Sequence, residues 1–143
     1  MTDPVKAACE ACFAANKGDC SAFARAVAAR LDVPLAGLAD AIADVLRSGP
    51  GWTPLPDGVA AAASARDGKL VLGALKGKEQ AHPNAHGHVV VVVDGPLARE
   101  AYPSAYWGSL GGTPAQDKTV NFAWVAEDRD RVSYAAHDIP AAG

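Results

Sequence analysis

A thiol at Cys20 and an imidazole at His88 are the side chains whose types and settings could do chemistry together. Cys20 stands in Gly18-Asp19-Cys20-Ser21, where a loop becomes a helix, and His88 leads the apolar run Val89-Val90-Val91-Val92-Val93. A cysteine attacks as its thiolate, which its ordinary pKa leaves scarce near neutrality. The first turn of a helix favours the anion through unpaired N–H groups and the positive end of the dipole. Cys20, directly after a capping Asp19, is placed for that help. The Cys20 and Ser21 amides could then form an oxyanion hole, since donors preset where charge develops contribute strongly to acyl transfer. A base is still needed, and His88 at the head of a rigid strand supplies one. Against this reading stands the commonest use of cysteine, as a small buried apolar residue. The polar neighbours Asp19 and Ser21, and a histidine opening a later strand, tilt the balance toward a nucleophile.

The elements that must position this pair follow from local pattern. Asp3-Pro4 predicts an N-cap and first position for a helix reaching about Ala15, broken at Asn16-Lys17-Gly18. Asp19 caps a second helix, with Phe23, Val27 and Leu31 along one face. Leu35, Leu38, Ile42, Val45 and Leu46 form the stripe of a third, starting after Pro34 and ending at Gly49. The segment 48–58 is too rich in proline and glycine for regular structure and reads as a loop carrying Trp52. Val59 to Arg66 is a short alanine-rich helix stopped by Asp67-Gly68. The period then changes. Leu70-Val71-Leu72 and Val89 to Val93 read as strands, and Asp94-Gly95-Pro96 turns the second into a third strand near Leu97 to Tyr102. Thr119 to Trp124 and Val132-Ser133-Tyr134 alternate as further strands. Helices first, then an antiparallel sheet, make one α+β domain over residues 1–143.

Bulk properties narrow the classes. Of 143 residues half are hydrophobic and a fifth charged, which specifies an ordered globular chain. A formal charge of −3 argues against a nucleic-acid partner. No apolar run approaches a bilayer span, so no membrane insertion is expected. Met1-Thr2-Asp3-Pro4-Val5-Lys6 has no secretory pattern, so the protein is expected to be made in the cytoplasm and to reach any outer compartment by another export route. Three cysteines cannot all pair within one chain; at most Cys9 and Cys12 do, leaving Cys20 free. Cys9-Glu10-Ala11-Cys12 falls inside the first helix, where buried helix-face thiols are a better reading than a redox motif. His82, His86 and His88 could join cysteines around a metal, but their spacing fits no zinc module. No metal and no cofactor are expected.

At this point the motifs resemble a known superfamily. Asp19-Cys20-Ser21-Ala22-Phe23 is similar to the D-C-S-G-F/L helix start of NlpC/P60 peptidoglycan peptidases. Gly87-His88-Val89-Val90-Val91-Val92 resembles the G-H-V-[AG]-[IV]-V strand shared by NlpC/P60 and CHAP amidases, and Asp67-Gly68-Lys69-Leu70-Val71 takes the place of their P-G-D-[IL]-V segment. The resemblance implies a papain-like fold and a cysteine peptidase or amidase acting on peptidoglycan stem peptides through a thioester. Cys20 would be the nucleophile and His88 the base. A third polar residue would orient the imidazole. Glu100 and Tyr102 would face His88 if Asp94-Gly95 closes a tight hairpin, and Ser104 and Asn121 stay open as alternatives. Ala22 replaces the usual glycine, and the Trp/Tyr-Gly-Gly approach to the cysteine is absent, which leaves substrate preference open.

The short chain without a signal also resembles small amidase effectors of type VI secretion. That implies an antibacterial toxin acting on the cell wall or periplasm after export, and an immunity or inhibitor protein as partner. Residues 102–112 would form an aromatic, glycine-rich loop at the cleft, with Trp52, Tyr106 and Trp107 stacking on sugar or peptide. The competing use of these aromatics is to cover the core. Two other functions remain open: an acyltransferase or transglutaminase-like enzyme using an amine acceptor on the same pair, and a non-catalytic binding module or Cys/His metal-stabilised domain.

Overall fold

A computed structural model describes residues 3–140; the Met1-Thr2 part of the signal reading lies outside the described residues. Four helices and six strands build three layers around a mixed-length antiparallel sheet. Helix α1 (Pro4–Asn16) starts as expected, with Asp3 Oδ1 accepting from the amides of Val5 (3.0 Å) and Lys6 (3.1 Å) and proline in the first turn. Helix α2 (Cys20–Arg30) is capped by Asp19, and its Phe23 and Val27 are fully buried. Each such side chain contributes about 1.5–3 kcal/mol by leaving water. Helix α3 (Ala39–Ser48) follows, then β1 (Trp52–Leu55), α4 (Gly58–Arg66) and β2 (Leu70–Leu75). Strands β3 (His88–Val92), β4 (Ser104–Trp107), β5 (Ala115–Thr119) and β6 (Ser133–His137) complete the sheet in the order β1-β6-β2-β3-β4-β5.

Alternation along the central strands divides the core in two. Leu70, Leu72, Ala74, Val89, Val91 and Val93 face α1, α2 and α3. Val71, Leu75, Val90 and Val92 face α4, Trp107 and Trp124. Strands β2 and β3 are therefore apolar on both faces, which is why their sequences read as continuous runs rather than alternating ones. Helix α2 lies over β3, so the start of α2 comes close to the start of β3. A further tie fixes that end: Ser109, just past β4, donates its amide to Lys17 O in the α1–α2 turn (2.9 Å).

The α+β class and the helices-first order hold, with local corrections. Helix α3 begins at Ala39, not after Pro34, because Gly37 takes φ 97° and interrupts the turn; Leu38 is left 60% exposed. The segment 48–58 carries strand β1, whose pairing with β6 (Trp52 with His137) outweighs its poor local propensity. The strand expected at Leu97 to Tyr102 is a turn, closed by an Ala98–Tyr102 bridge and with Arg99 and Glu100 at positive φ. The true β4 lies in the aromatic stretch read as a loop. Thr119 to Trp124 is not a strand either: β5 ends at Thr119 and a 3-10 turn, Val120–Phe122, follows.

Candidate active site

Cys20 occupies the first position of α2. Asp19 Oδ1 accepts from the Ser21 amide (3.0 Å), the Ser21 hydroxyl (2.8 Å) and the Ala22 amide (3.2 Å), which fixes the helix start. Desolvation pushes the Asp19 carboxyl up, but these hydrogen bonds outweigh it, and the group lies below its ordinary value. The cap has a cost for the chemistry. The Ser21 amide, expected in the oxyanion hole, is already engaged, so the Cys20 amide is the donor left in that pair.

His88 opens β3 opposite Leu75 of β2. Gly87 before it is required by space: a Cβ there would stand 2.5 Å from Asp40 Oδ1 and 2.8 Å from Leu75 O. Cys20 and His88 line one cleft of about 470 Å³, with Asp19, Asp40, Trp124 and Asp128 also in its wall. The Cys20 thiol makes a long hydrogen bond to Gly87 O (4.0 Å), and the Val89 amide favours the ionised sulfur. Among the described residues the imidazole itself makes no hydrogen bond. Its ring is packed edge-to-face against Trp124 (centroids 5.2 Å, 71°) and Trp107 (6.2 Å, 85°), contacts worth about 0.5–1.5 kcal/mol each.

These surroundings reset the protonation states expected from the sequence. Burial raises the Cys20 thiol above its ordinary value, the Asp19 charge adds to the rise, and the helix-start and Val89 amides only partly offset it. Burial likewise lowers His88, to about 4. Both shifts favour the neutral thiol and neutral imidazole over a thiolate with imidazolium. The helix terminus alone does not ionise the sulfur, because desolvation outweighs it.

The candidates for a third residue are dispersed. Tyr106 pairs with Val91 and Ala105 with Val92, so continuing the register brings the chain beyond Trp107, not positions 100 to 102, alongside His88. The eleven-residue connection between β3 and β4 (residues 93–103) replaces the tight hairpin that would have put Glu100 and Tyr102 there. Glu100 is exposed in the 98–102 turn, and Tyr102 donates its hydroxyl to Asp130 (2.8 Å). Ser104 is buried and donates to Pro96 O (2.8 Å). Asn121 follows β5 in the 3-10 turn, with its Oδ1 buried and unpaired among the described residues.

Trp52, Tyr106 and Trp107 are core aromatics and do not line the cleft. Trp52 packs on His137, Tyr106 donates to Glu10 Oε1 (2.5 Å), and Trp107 donates its indole N–H to Thr113 O (3.3 Å). Strand β4 is buried on both faces, which takes Tyr106 and Trp107 into the core, and Trp52 is buried at the start of the otherwise largely exposed β1. The cleft instead carries Trp124, together with the exposed Leu38, Leu110 and Val125. Asp128 is another residue that sequence reading missed: nearly fully buried, it accepts the Ala81 amide (2.8 Å) and an Arg131 N–H (3.2 Å), tying the 120–131 segment to the loop before His88. Neither Trp124 nor Asp128 stands in a motif or at helical spacing, so no sequence signal marked them.

The three cysteines are free; Cys9 is buried and Cys12 half-buried on α1. Burial drives the Cys9 thiol far above its ordinary value, which leaves it inert. Among the described residues no three His, Cys, Asp or Glu side chains are grouped to hold a metal ion, so His82, His86 and His88 do not combine with the cysteines around one. No described helix is long and apolar enough to cross a membrane.

No protein-family model matches the chain. A curated relative does: over 128 residues the chain is 41% identical to the peptidoglycan amidase Tse1 of Pseudomonas aeruginosa, covering 87% of this chain and 78% of the relative. At that identity over most of both sequences, this protein belongs to the family of the peptidoglycan amidase Tse1.

Proposed function

We propose that this protein is a cysteine amidase that hydrolyses amide bonds in peptidoglycan stem peptides, on a papain-like scaffold of the NlpC/P60 and CHAP type. The observation that carries the reading is the shared cleft: Cys20 and His88, far apart in sequence, line the same cavity in a relative of a peptidoglycan amidase. Both groups start neutral. As Cys20 Sγ attacks the substrate carbonyl carbon, His88 takes the thiol proton and the carbonyl electrons move to oxygen, where the Cys20 amide donates. The tetrahedral intermediate collapses to a thioester when the imidazolium returns its proton to the departing amine. Water, deprotonated by His88, then attacks the thioester; the acid is released and the thiol re-formed.

The reaction fits an exported antibacterial effector that acts on the cell wall and is held in check by an immunity protein in the producing cell. Replacing Cys20 by alanine tests the reading. Cys20→Ala is expected to abolish release of fragments from purified sacculi while leaving the melting temperature nearly unchanged. Mass spectrometry of wild-type digests identifies the bond cut and the acceptor, since water and an amine leave products of different mass. Normal digestion by Cys20→Ala overturns the nucleophile assignment.

A further inference from the structure

We propose that Trp124 and Trp107 are positioning residues for His88, two indole walls that hold the imidazole in place of the usual hydrogen-bonding third side chain. The inference rests on the reading of His88 as the base. Three observations carry it. The imidazole meets both indoles edge-to-face, at 5.2 Å and 6.2 Å, from nearly perpendicular planes. No polar side chain among the described residues hydrogen-bonds it, and the third-residue candidates whose side chains are paired, Tyr102 and Ser104, are committed to Asp130 and Pro96. Both indoles are themselves anchored. Trp107 is 3% exposed on β4 with its N–H on Thr113 O, and Trp124 is 5% exposed in the core cluster that also holds Val90, Trp107 and Val120.

The arrangement explains how a ring without a polar partner can have a defined orientation. An edge-to-face contact is directional, because the positive edge of one ring meets the negative face of the other. Two such contacts from different elements leave the imidazole little freedom except toward the cleft. They also keep water from most of the ring. The titratable groups that share its cleft are the cap Asp19 and Cys20 of α2, Asp40 of α3, His86 of the preceding loop, and Asp128. None of them offsets the effect of burial on His88.

Trp124 offers a clean separation of ring from polar atom. Its indole N–H is buried and unpaired among the described residues, so phenylalanine keeps a ring for the edge contact while discarding an unsatisfied donor. Trp124→Phe is expected to melt no lower than the parent and to keep kcat on peptidoglycan fragments within about threefold, a bracket set by the rotamer freedom of a smaller ring. Trp124→Leu, which fills space without a ring, is expected to lose about tenfold in kcat, a fraction of the roughly 10²–10⁴-fold that a general base contributes, with KM nearly unchanged. The His88 imidazole, followed by NMR, should titrate closer to an ordinary histidine in that variant. A merely structural role would lower the melting temperature and leave the titration where it was.

Trp107→Leu repeats the test from the second wall. In the unmodified protein, NOEs from His88 ring protons to both indoles are expected, which needs no variant to fold. Missing NOEs, or Trp124→Leu with unchanged kcat and unchanged titration, overturn the proposal. His88→Ala separates the two levels: if it is inactive while Trp124→Leu is unaffected, the indole walls alone are wrong, whereas full activity in His88→Ala removes the base and this inference with it.

Discussion

Acidification should weaken this protein at His88 among other groups, and the size of the His88 contribution follows from the cleft. Burial between two indoles lowers the His88 pKa from 6.5 to about 4, whereas the unfolded chain restores the ordinary value. Between those pH values the unfolded state binds more protons than the folded one, so stability is complete above the unfolded pKa and drains away as pH falls toward the folded one. The difference of about 2.5 pH units corresponds to about 3 kcal/mol at about 1.4 kcal/mol per unit. Part of the His88 surface stays exposed to solvent, which reduces the expected loss to about 2 kcal/mol. Urea denaturation of the native protein and of His88→Gln between pH 7 and pH 4 isolates the contribution, because every other titrating group is common to both. The native protein should lose about 2 kcal/mol more than the variant over that interval. Parallel losses would mean that the imidazole is not desolvated in the folded protein.

Other expectations follow from the helix start and the turn before β3. Asp19→Ala removes the acceptor for the Ser21 and Ala22 amides and should cost about 1 kcal/mol in urea melts. Asp19→Asn keeps a cap but removes the charge that raises the thiol; iodoacetamide should then alkylate Cys20 faster at a given pH, and an unchanged pH–rate curve would refute the charge effect. Gly87→Ala forces a methyl against Asp40 Oδ1 and the Leu75 carbonyl. Backbone stands on one side, so about 1–3 kcal/mol of stability should be lost, and sacculus digestion should fall with the displaced His88.

Much of the fold was legible because it is local. The Asp3-Pro4 and Asp19 caps, the helix breakers at Gly18 and Gly68, and the β-branched run 89–93 each act within a few residues, and each lands where propensity and capping put it. Errors arose where distant pairing decided the matter. Strand β1 exists because β6 offers it partners, and β4 because β3 and β5 flank it, although both segments contain residues that read as loop.

The site divides along the same line. Residue type and spacing by themselves singled out Cys20 at a helix start and His88 at a strand start, because a cap and a strand boundary are written in adjacent residues. Which groups surround them was settled only by packing. The register past β3 carried Glu100 and Tyr102 away, the alternation of β3 turned His88 toward the indoles of Trp107 and Trp124, and burial raised the Cys20 thiol and lowered the His88 imidazole. Desolvation and long-range contact depend on what lies near in space, and a linear order of residues does not contain that quantity until the chain has folded.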